Sequence, residues 1–218
     1  MLPSLDLQLL TVFNRGIAHP WLDPIMQFLS GNVLLVPGLV ALATALIVWG
    51  GRRGRVFVFM LAFVLAVGDS QVNNRLKKLF GRPRPFVDHP EVRLLVGRGP
   101  SFSMPSGHAS IWGGIVAVTF LYWRRREVRA GVVATGIGVG VSRMYLGVHY
   151  PSDVGVCWAV GLAYGVALAR MAAWLWDRVG QRVFPAWHRA LPDLLEPDAG
   201  DRGVPVAHGH WQTLGWIL

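Results

Sequence analysis

Charge and cysteine are what this chain has least of. Only 15% of its 218 residues are Asp, Glu, Lys or Arg, against about 25% in an ordinary soluble domain. With 53% hydrophobic residues and a mean hydropathy of +0.42, that shortage argues against a solvated globule and points to a polytopic membrane protein. Acidic residues are scarcer than basic ones, 12 against 21, for a net charge of +9. Positive charge alone would fit nucleic acid, but no RNA- or DNA-binding pattern interrupts the apolar segments. The positive-inside bias and anionic headgroups account for it instead, so no nucleic-acid partner is expected. The single cysteine, Cys157, excludes an internal disulfide and leaves the redox compartment unconstrained. Met1 to Leu10 lack a basic region followed by an unbroken apolar core, so no cleavable signal peptide is expected. Internal repeats and low-complexity tracts are missing as well.

What is present is a series of apolar runs cut by basic turns. Residues 4–29 carry an apolar face broken by Asp6, Arg15, His19, Pro20, Asp23 and Pro24, too interrupted to cross about 30 Å of hydrocarbon. Two short helices are expected there, at the interface or partway into the bundle, with Trp21 as an anchor. Five spans are expected beyond them. They cover about 33–49, from 56 past the apolar run ending at 67, 109–123, 130–146 and 154–176. The second span turns polar at Asp69, Asn73 and Lys77, four residues apart and so on one face of an α-helix. Gly161 and Gly165 in the fifth have the small-xxx-small spacing of close helix contact. The expected architecture is an all-α membrane helix bundle of five to six transmembrane helices. Interfacial helices occupy 1–30, the membrane domain 31–176 and a tail 177–218, where Trp211 and Trp216 are candidates for interface contact.

Five spans put the basic turns 51–55 and 124–129, with the tail, on one side, and the loop 79–105 on the other. By the positive-inside rule the short basic turns are cytoplasmic. The stretch 75–105 is also basic, seven Lys and Arg against two Asp and Glu for a net +5. Anion-binding equipment explains that charge separately. The expectation is a multi-pass protein of the inner or plasma membrane whose polar site faces the extracytoplasmic side.

Three blocks carry candidate chemistry. In the first, Lys77 lies near a helix end and Arg84 follows in the proline-stiffened segment Gly81-Arg82-Pro83-Arg84-Pro85. An ammonium and a guanidinium fork suit phosphate oxygens; a cluster that merely holds the helix end at headgroup level is the plain alternative. In the second, Pro105-Ser106-Gly107-His108 opens an apolar helix. Ser106 can cap it, Gly107 permits close backbone approach, and the first N–H groups suit an anion; a capped helix with an incidental histidine is equally compatible. In the third, Arg143, His149 and Asp153 fall within eleven residues at a helix end. His149 and Asp153, four apart across a turn, can share a hydrogen bond that fixes the imidazole tautomer and leaves the other nitrogen to attack. Alone, the pair could be a staple between helix ends. Together the blocks supply a nucleophile with its orienter, a second histidine to protonate a leaving oxygen, and three cations. That is the minimum set for phosphoryl transfer without a metal. These blocks contain no clustered Asp/Glu or His/Cys ligand set, so neither metal nor cofactor is expected.

Lys77 with six residues between it and Arg84-Pro85, then Pro105-Ser106-Gly107-His108, then Ser142-Arg143 with five residues between Arg143 and His149 and three between His149 and Asp153, resemble the three-part motif of the type 2 phosphatidic acid phosphatase superfamily. These are membrane lipid phosphatases that share the motif with vanadium haloperoxidases. The resemblance implies that Lys77, Arg84 and Arg143 bind phosphate oxygens with Ser106 and the Gly107 backbone. It implies that His149 forms a phosphohistidine, Asp153 orients it and His108 protonates the leaving group. Family members usually have six spans, against five plus interfacial helices here. The implied substrates are lipid phosphates or diphosphates: undecaprenyl diphosphate, favoured by an outward site, or phosphatidylglycerophosphate, phosphatidate or lipid A phosphates. A lipid phosphotransferase would use the same intermediate, and a non-catalytic lipid-binding or transport protein could keep the fold. A haloperoxidase is disfavoured because those relatives are soluble. Membrane lipids are the expected surroundings, and the oligomeric state is left open.

Overall fold

The computed structural model describes residues 4–99 and 101–196, apart from the side chains of 32–35. Trp211 and Trp216 lie outside the described residues, among which every regular element is helical. Helix α1 (Leu5–Thr11) starts at Ser4, whose hydroxyl accepts from the Leu7 N–H at 3.3 Å, and runs into a π-turn over Val12–Gly16. Helix α2 (Leu22–Ser30) follows. At about 1.5 Å per residue neither is long enough to cross a bilayer, and Trp21 between them is 79% exposed.

Five long helical stretches then appear where the apolar runs place them. They are α3 (Asn32–Trp49), α4 (Gly51–Val67) continuing through a π-turn (Gly68–Asn73) into α5 (Asn74–Phe80), and, beyond the short α6 (Pro85–Asp88), α7 (Gly107–Tyr122), α8 (Arg126–Tyr145) and α9 (Pro151–Leu175). The stretches Gly51–Asp88 and Pro151–Val183 are long and apolar enough to cross a membrane; Val36–Trp49 and Gly107–Tyr122 are apolar but shorter. A further π-turn (Trp176–Gly180), α10 (Gln181–Val183) and α11 (Pro185–Ala190) close the described chain.

Helix α7 is the axis of the bundle. From Trp112 to Thr119 it is buried on every face, the position a helix apolar all round must take. It packs on α9, α8 and α4. Glycines bring α7 and α9 to backbone distance: a Cβ on Gly161 would lie 2.1 Å from the Ser110 carbonyl oxygen, and one on Gly165 2.7 Å from Ala117 Cβ. The small-xxx-small spacing in α9 therefore marks a real close approach.

The π-turn at 68–73 changes one expectation. Its wider turn breaks the strict four-residue repeat, and Asp69, Asn73 and Lys77 do not share an environment. Asp69 is exposed, Asn73 is buried and Lys77 is intermediate. Asp69 still accepts from Asn73 Nδ2 at 3.2 Å, while Asn73 Oδ1 accepts from Ser110 Oγ at 2.8 Å. Asp69 thus pairs with a neutral amide, and Asn73 ties the turn to α7.

The bundle has a basic end and a site end. Arg53 donates to the Tyr122 carbonyl, Tyr122 Oη to the Leu194 carbonyl at 2.5 Å, and Arg52 Nη1 to the Ala190 carbonyl at 2.8 Å. Those bonds gather the α3–α4 turn, the α7–α8 turn and residues 190–194. The starts of α7 and α9 and the ends of α5 and α8 lie at the opposite end.

Candidate active site

Local rules of chain reversal bring the third block together. Helix α8 ends in a Schellman motif: the Gly147 N–H donates to the Met144 carbonyl at 3.0 Å and the Val148 N–H to the Arg143 carbonyl at 3.2 Å. Gly147 sits at φ +76, and a Cβ there would meet the Arg93 carbonyl oxygen at 2.6 Å, so only glycine fits. The reversal folds His149 back over Arg143, and Pro151 opens α9 directly afterwards, at a first-turn position that suits proline. Asp153 lies in the first turn of α9, where its Oδ2 accepts the Tyr150 N–H at 2.9 Å. Both His149 and Asp153 are buried.

The second and first blocks converge on the same point. Ser106 is the N-cap residue of α7 but makes no side-chain capping bond; its buried Oγ has no hydrogen-bond partner among the described residues. Its N–H donates instead to Cys157 Sγ at 3.0 Å. A Cβ on Gly107 would meet nothing within 4 Å, so the helix start borders open space. His108 follows in the first turn and feels the charges of Arg143, His149, Arg84 and Lys77. Arg143 donates through Nη1 to Ser30 Oγ on α2, and its buried Nε has no partner among the described residues. Arg84 is held by Ser101, with Nε to the carbonyl at 2.7 Å and Nη2 to the hydroxyl at 2.8 Å. The Lys77 ammonium, partly exposed near the end of α5, has no hydrogen bond or ion pair among the described residues. All eight residues singled out in the sequence thus lie around one site.

The geometry of the His149–Asp153 pair departs from the direct hydrogen bond that the spacing allows. His149 Nδ1 is 3.9 Å from Asp153 Oδ2, beyond hydrogen-bonding distance. The Ser103 hydroxyl lies beside the pair, within reach of both. Its Oγ is 2.5 Å from Asp153 Oδ2 and 3.5 Å from His149 Nδ1. Asp153 Oδ1 is taken by Arg82 Nη1 at 2.8 Å, and Arg82 Nη2 reaches back to Asp6 on α1 at 2.7 Å while its guanidinium lies 3.9 Å from the Tyr150 ring centroid. Asp6 also accepts from the Ser152 N–H at 2.9 Å and the Ser152 hydroxyl at 2.5 Å. Burial pushes the His149 imidazole down to about 4; Asp153 opposes that shift, and Arg143 and Arg84 add to it. The ring is therefore neutral at physiological pH, the form in which a nitrogen can attack.

Sequence reasoning missed Ser103, Ser30, Asp6 and the role of Arg82. Ser103 lies in a loop without periodicity, while Ser30 and Asp6 come from the short helices whose packing no pattern reveals. Gly147 did carry a signal, as a glycine just past the end of a helix. Among the described residues no three His, Cys, Asp or Glu side chains form a cluster able to hold a metal ion.

Comparison with known proteins gives these groups a context. Residues 53–177 match the family model of the PAP2 superfamily, a range that contains all three blocks. A lipid A 4'-phosphatase of Bacteroides thetaiotaomicron is 30% identical over 188 residues, 84% of this chain and 80% of that protein. A putative undecaprenyl-diphosphatase of Escherichia coli, YbjG, is 30% identical over 199 residues, 88% of this chain and 96% of that protein. Among solved structures, Aquifex aeolicus LpxE superposes with a TM-score of 0.63 at 25% identity, covering 77% of this chain and 96% of that one.

Proposed function

The chain belongs to the PAP2 superfamily and is a membrane lipid phosphatase of that family, and from that premise we propose that it hydrolyses undecaprenyl diphosphate through a phosphohistidine on His149. The observation that carries the reading is a pair of buried polar groups, Ser106 Oγ and Arg143 Nε, without partners among the described residues. Buried donors are rarely left unpaired in native proteins, and a phosphoryl group supplies the oxygens both lack. Lys77 and Arg84 add charge from α5 and the segment after it, and the Gly107 backbone leaves room at the helix start.

In the proposed reaction His149 Nε2 attacks the terminal phosphorus, and a bond forms between nitrogen and phosphorus. Burial and the neighbouring cations keep His108 neutral before substrate binds, so it takes up the substrate phosphate's own proton on binding. The bond from phosphorus to the bridging oxygen then breaks, and His108 gives that proton to the oxygen as the lipid monophosphate leaves. Neutral His108 then takes a proton from water, whose oxygen attacks phosphorus as the N–P bond breaks, so inorganic phosphate departs and the His149 imidazole is restored. Lys77, Arg84 and Arg143 balance charge on the three outer oxygens throughout.

His149→Ala should abolish phosphate release from a lipid phosphate in detergent and leave no acid-labile phosphoenzyme. Undiminished release would sink the mechanism. In a panel containing phosphatidylglycerophosphate, phosphatidate and a lipid A phosphate, undecaprenyl diphosphate should have the highest kcat/KM; a tenfold preference for another member replaces the substrate assignment. The two basic turns at the end remote from His149 support an inner- or plasma-membrane protein whose site faces outward. A cysteine at position 125 (Arg125→Cys) should then resist an impermeant thiol reagent in intact cells, since Cys157 is buried and adds no background. Rapid labelling would turn the site inward.

A further inference from the structure

We propose that Ser103 is a positioning residue for the His149 nucleophile, relaying the Asp153 carboxylate to the imidazole through its hydroxyl. The inference rests on the phosphohistidine reading. Three facts carry it. First, Asp153 has little capacity left for a direct bond. Its Oδ1 accepts from Arg82 at 2.8 Å, and its Oδ2 accepts from the Tyr150 N–H at 2.9 Å and from Ser103 Oγ at 2.5 Å. Second, the imidazole stands 3.9 Å from that carboxylate but 3.5 Å from Ser103 Oγ. Third, Ser103 is fully buried, and its N–H donates to the Arg82 carbonyl at 2.8 Å, so the hydroxyl is set by backbone as well as by its partner.

A serine hydroxyl has one hydrogen and two lone pairs. Asp153 is an acceptor only when ionised, so the Ser103 hydrogen goes to Oδ2. The oxygen then presents lone pairs to His149, which selects the tautomer carrying hydrogen on Nδ1 and leaves the Nε2 lone pair to attack phosphorus. As the N–P bond forms, positive charge develops on the ring. The Nδ1–H bond to Ser103 shortens toward hydrogen-bond length, and the Asp153 charge acts through it. No proton leaves Ser103. Arg82, in turn held by Asp6, keeps the carboxylate from rotating away.

The test is a set of variants assayed with one soluble lipid phosphate in detergent. Ser103→Ala should lower kcat and the rate of phosphoenzyme formation by about 10- to 100-fold, the usual worth of a partner that fixes a histidine's tautomer and orientation, with KM within about twofold. Ser103→Thr should restore most of the rate. On an Asp153→Asn background the alanine change should add nothing, because the relay already lacks its anion. Wild-type kcat in Ser103→Ala, a loss confined to KM, or full additivity with Asp153→Asn overturns the relay. If Ser103→Ala does not elute as folded protein, Ser103→Cys, which keeps the shape but is a poor donor, is read by the same criteria. His149→Ala separates the two levels. An active His149→Ala enzyme overturns the phosphohistidine reading, whereas an inactive one beside a fully active Ser103→Ala enzyme overturns only the relay.

Discussion

Gly161→Ala puts one methyl group where the site's two supporting helices touch. The added carbon would stand 2.1 Å from the Ser110 carbonyl oxygen and 3.0 Å from Gly113 Cα. A carbon and a carbonyl oxygen in comfortable contact lie about 3.3 Å apart, so the deficit is about 1.2 Å. Both neighbours are backbone, and no rotamer change relieves the clash; α7 and α9 must part. His108 lies two residues from Ser110 on α7, and Asp153 is in the first turn of α9, so the separation is passed to the proposed acid and the proposed orienter. Overpacking costs about 1–3 kcal/mol, while replacing a helical glycine with alanine returns about 1 kcal/mol. Net destabilisation is therefore small. Misplacement by about 1 Å at a reacting centre costs about 100-fold in rate. The expected result is a kcat lowered about 100-fold with a melting temperature down by only a few degrees, measured in detergent on one lipid phosphate. Gly131→Ala is the control, since Gly131 is exposed and its Cβ would meet nothing within 4 Å; it should keep full activity. A Gly161→Ala enzyme with kcat within twofold of the parent refutes the argument that this contact sets the site.

Two further outcomes follow from the site's charges. With the His149 imidazole held down to about 4, below the ordinary 6.5, the proposed nucleophile stays unprotonated through pH 5–8. The acid limb of kcat/KM, corrected for the substrate's own phosphate ionisation, should fall through about 4, and a limb centred at 6.5 contradicts the burial argument. Asp6→Ala removes one carboxylate from Arg82 and the acceptor of the Ser152 N–H. Because both side chains of the Asp6–Arg82 pair are partly exposed, at 20% and 31%, the loss should be about 1 kcal/mol, with kcat reduced less than tenfold; an unchanged melting temperature and kcat would show that α1 plays no part in holding Arg82.

Much of this molecule was legible in the chain because its chemistry obeys short-range rules. Apolar runs longer than a bilayer half and cut by Arg clusters become helices whether or not their neighbours are known, and the five long helices fall within a few residues of the runs. The three polar blocks stood out because charge is so rare elsewhere, and the structure gathers all eight of their singled-out residues around one site. The polar face of the second span is kept only in part, with Asn73 still bonded to Asp69 but their burial different, for an equally physical reason. Gly68 packs against the Tyr164 ring, where a Cβ would lie 2.3 Å from the ring edge, and the π-turn that follows shifts a register that sequence counting assumes constant.

What tertiary structure alone decided is who completes each polar group's valence. A spacing of four residues allows His149 and Asp153 to bond directly, yet the fold holds them 3.9 Å apart and brings up Ser103, 50 residues from Asp153 in sequence, beside both. The same packing brings Asp6 to Arg82 and Ser30 to Arg143 from helices that resemble mere interfacial flanks in sequence. Hydrogen-bond capacity inside an apolar bundle is saturated by whichever donors arrive in space, and arrival depends on helix packing rather than on spacing. The sequence by itself therefore determined the helices, the family motif and the kind of reaction; the packing of α1, α2 and the loop before α7 decided how His149, the proposed nucleophile, is held.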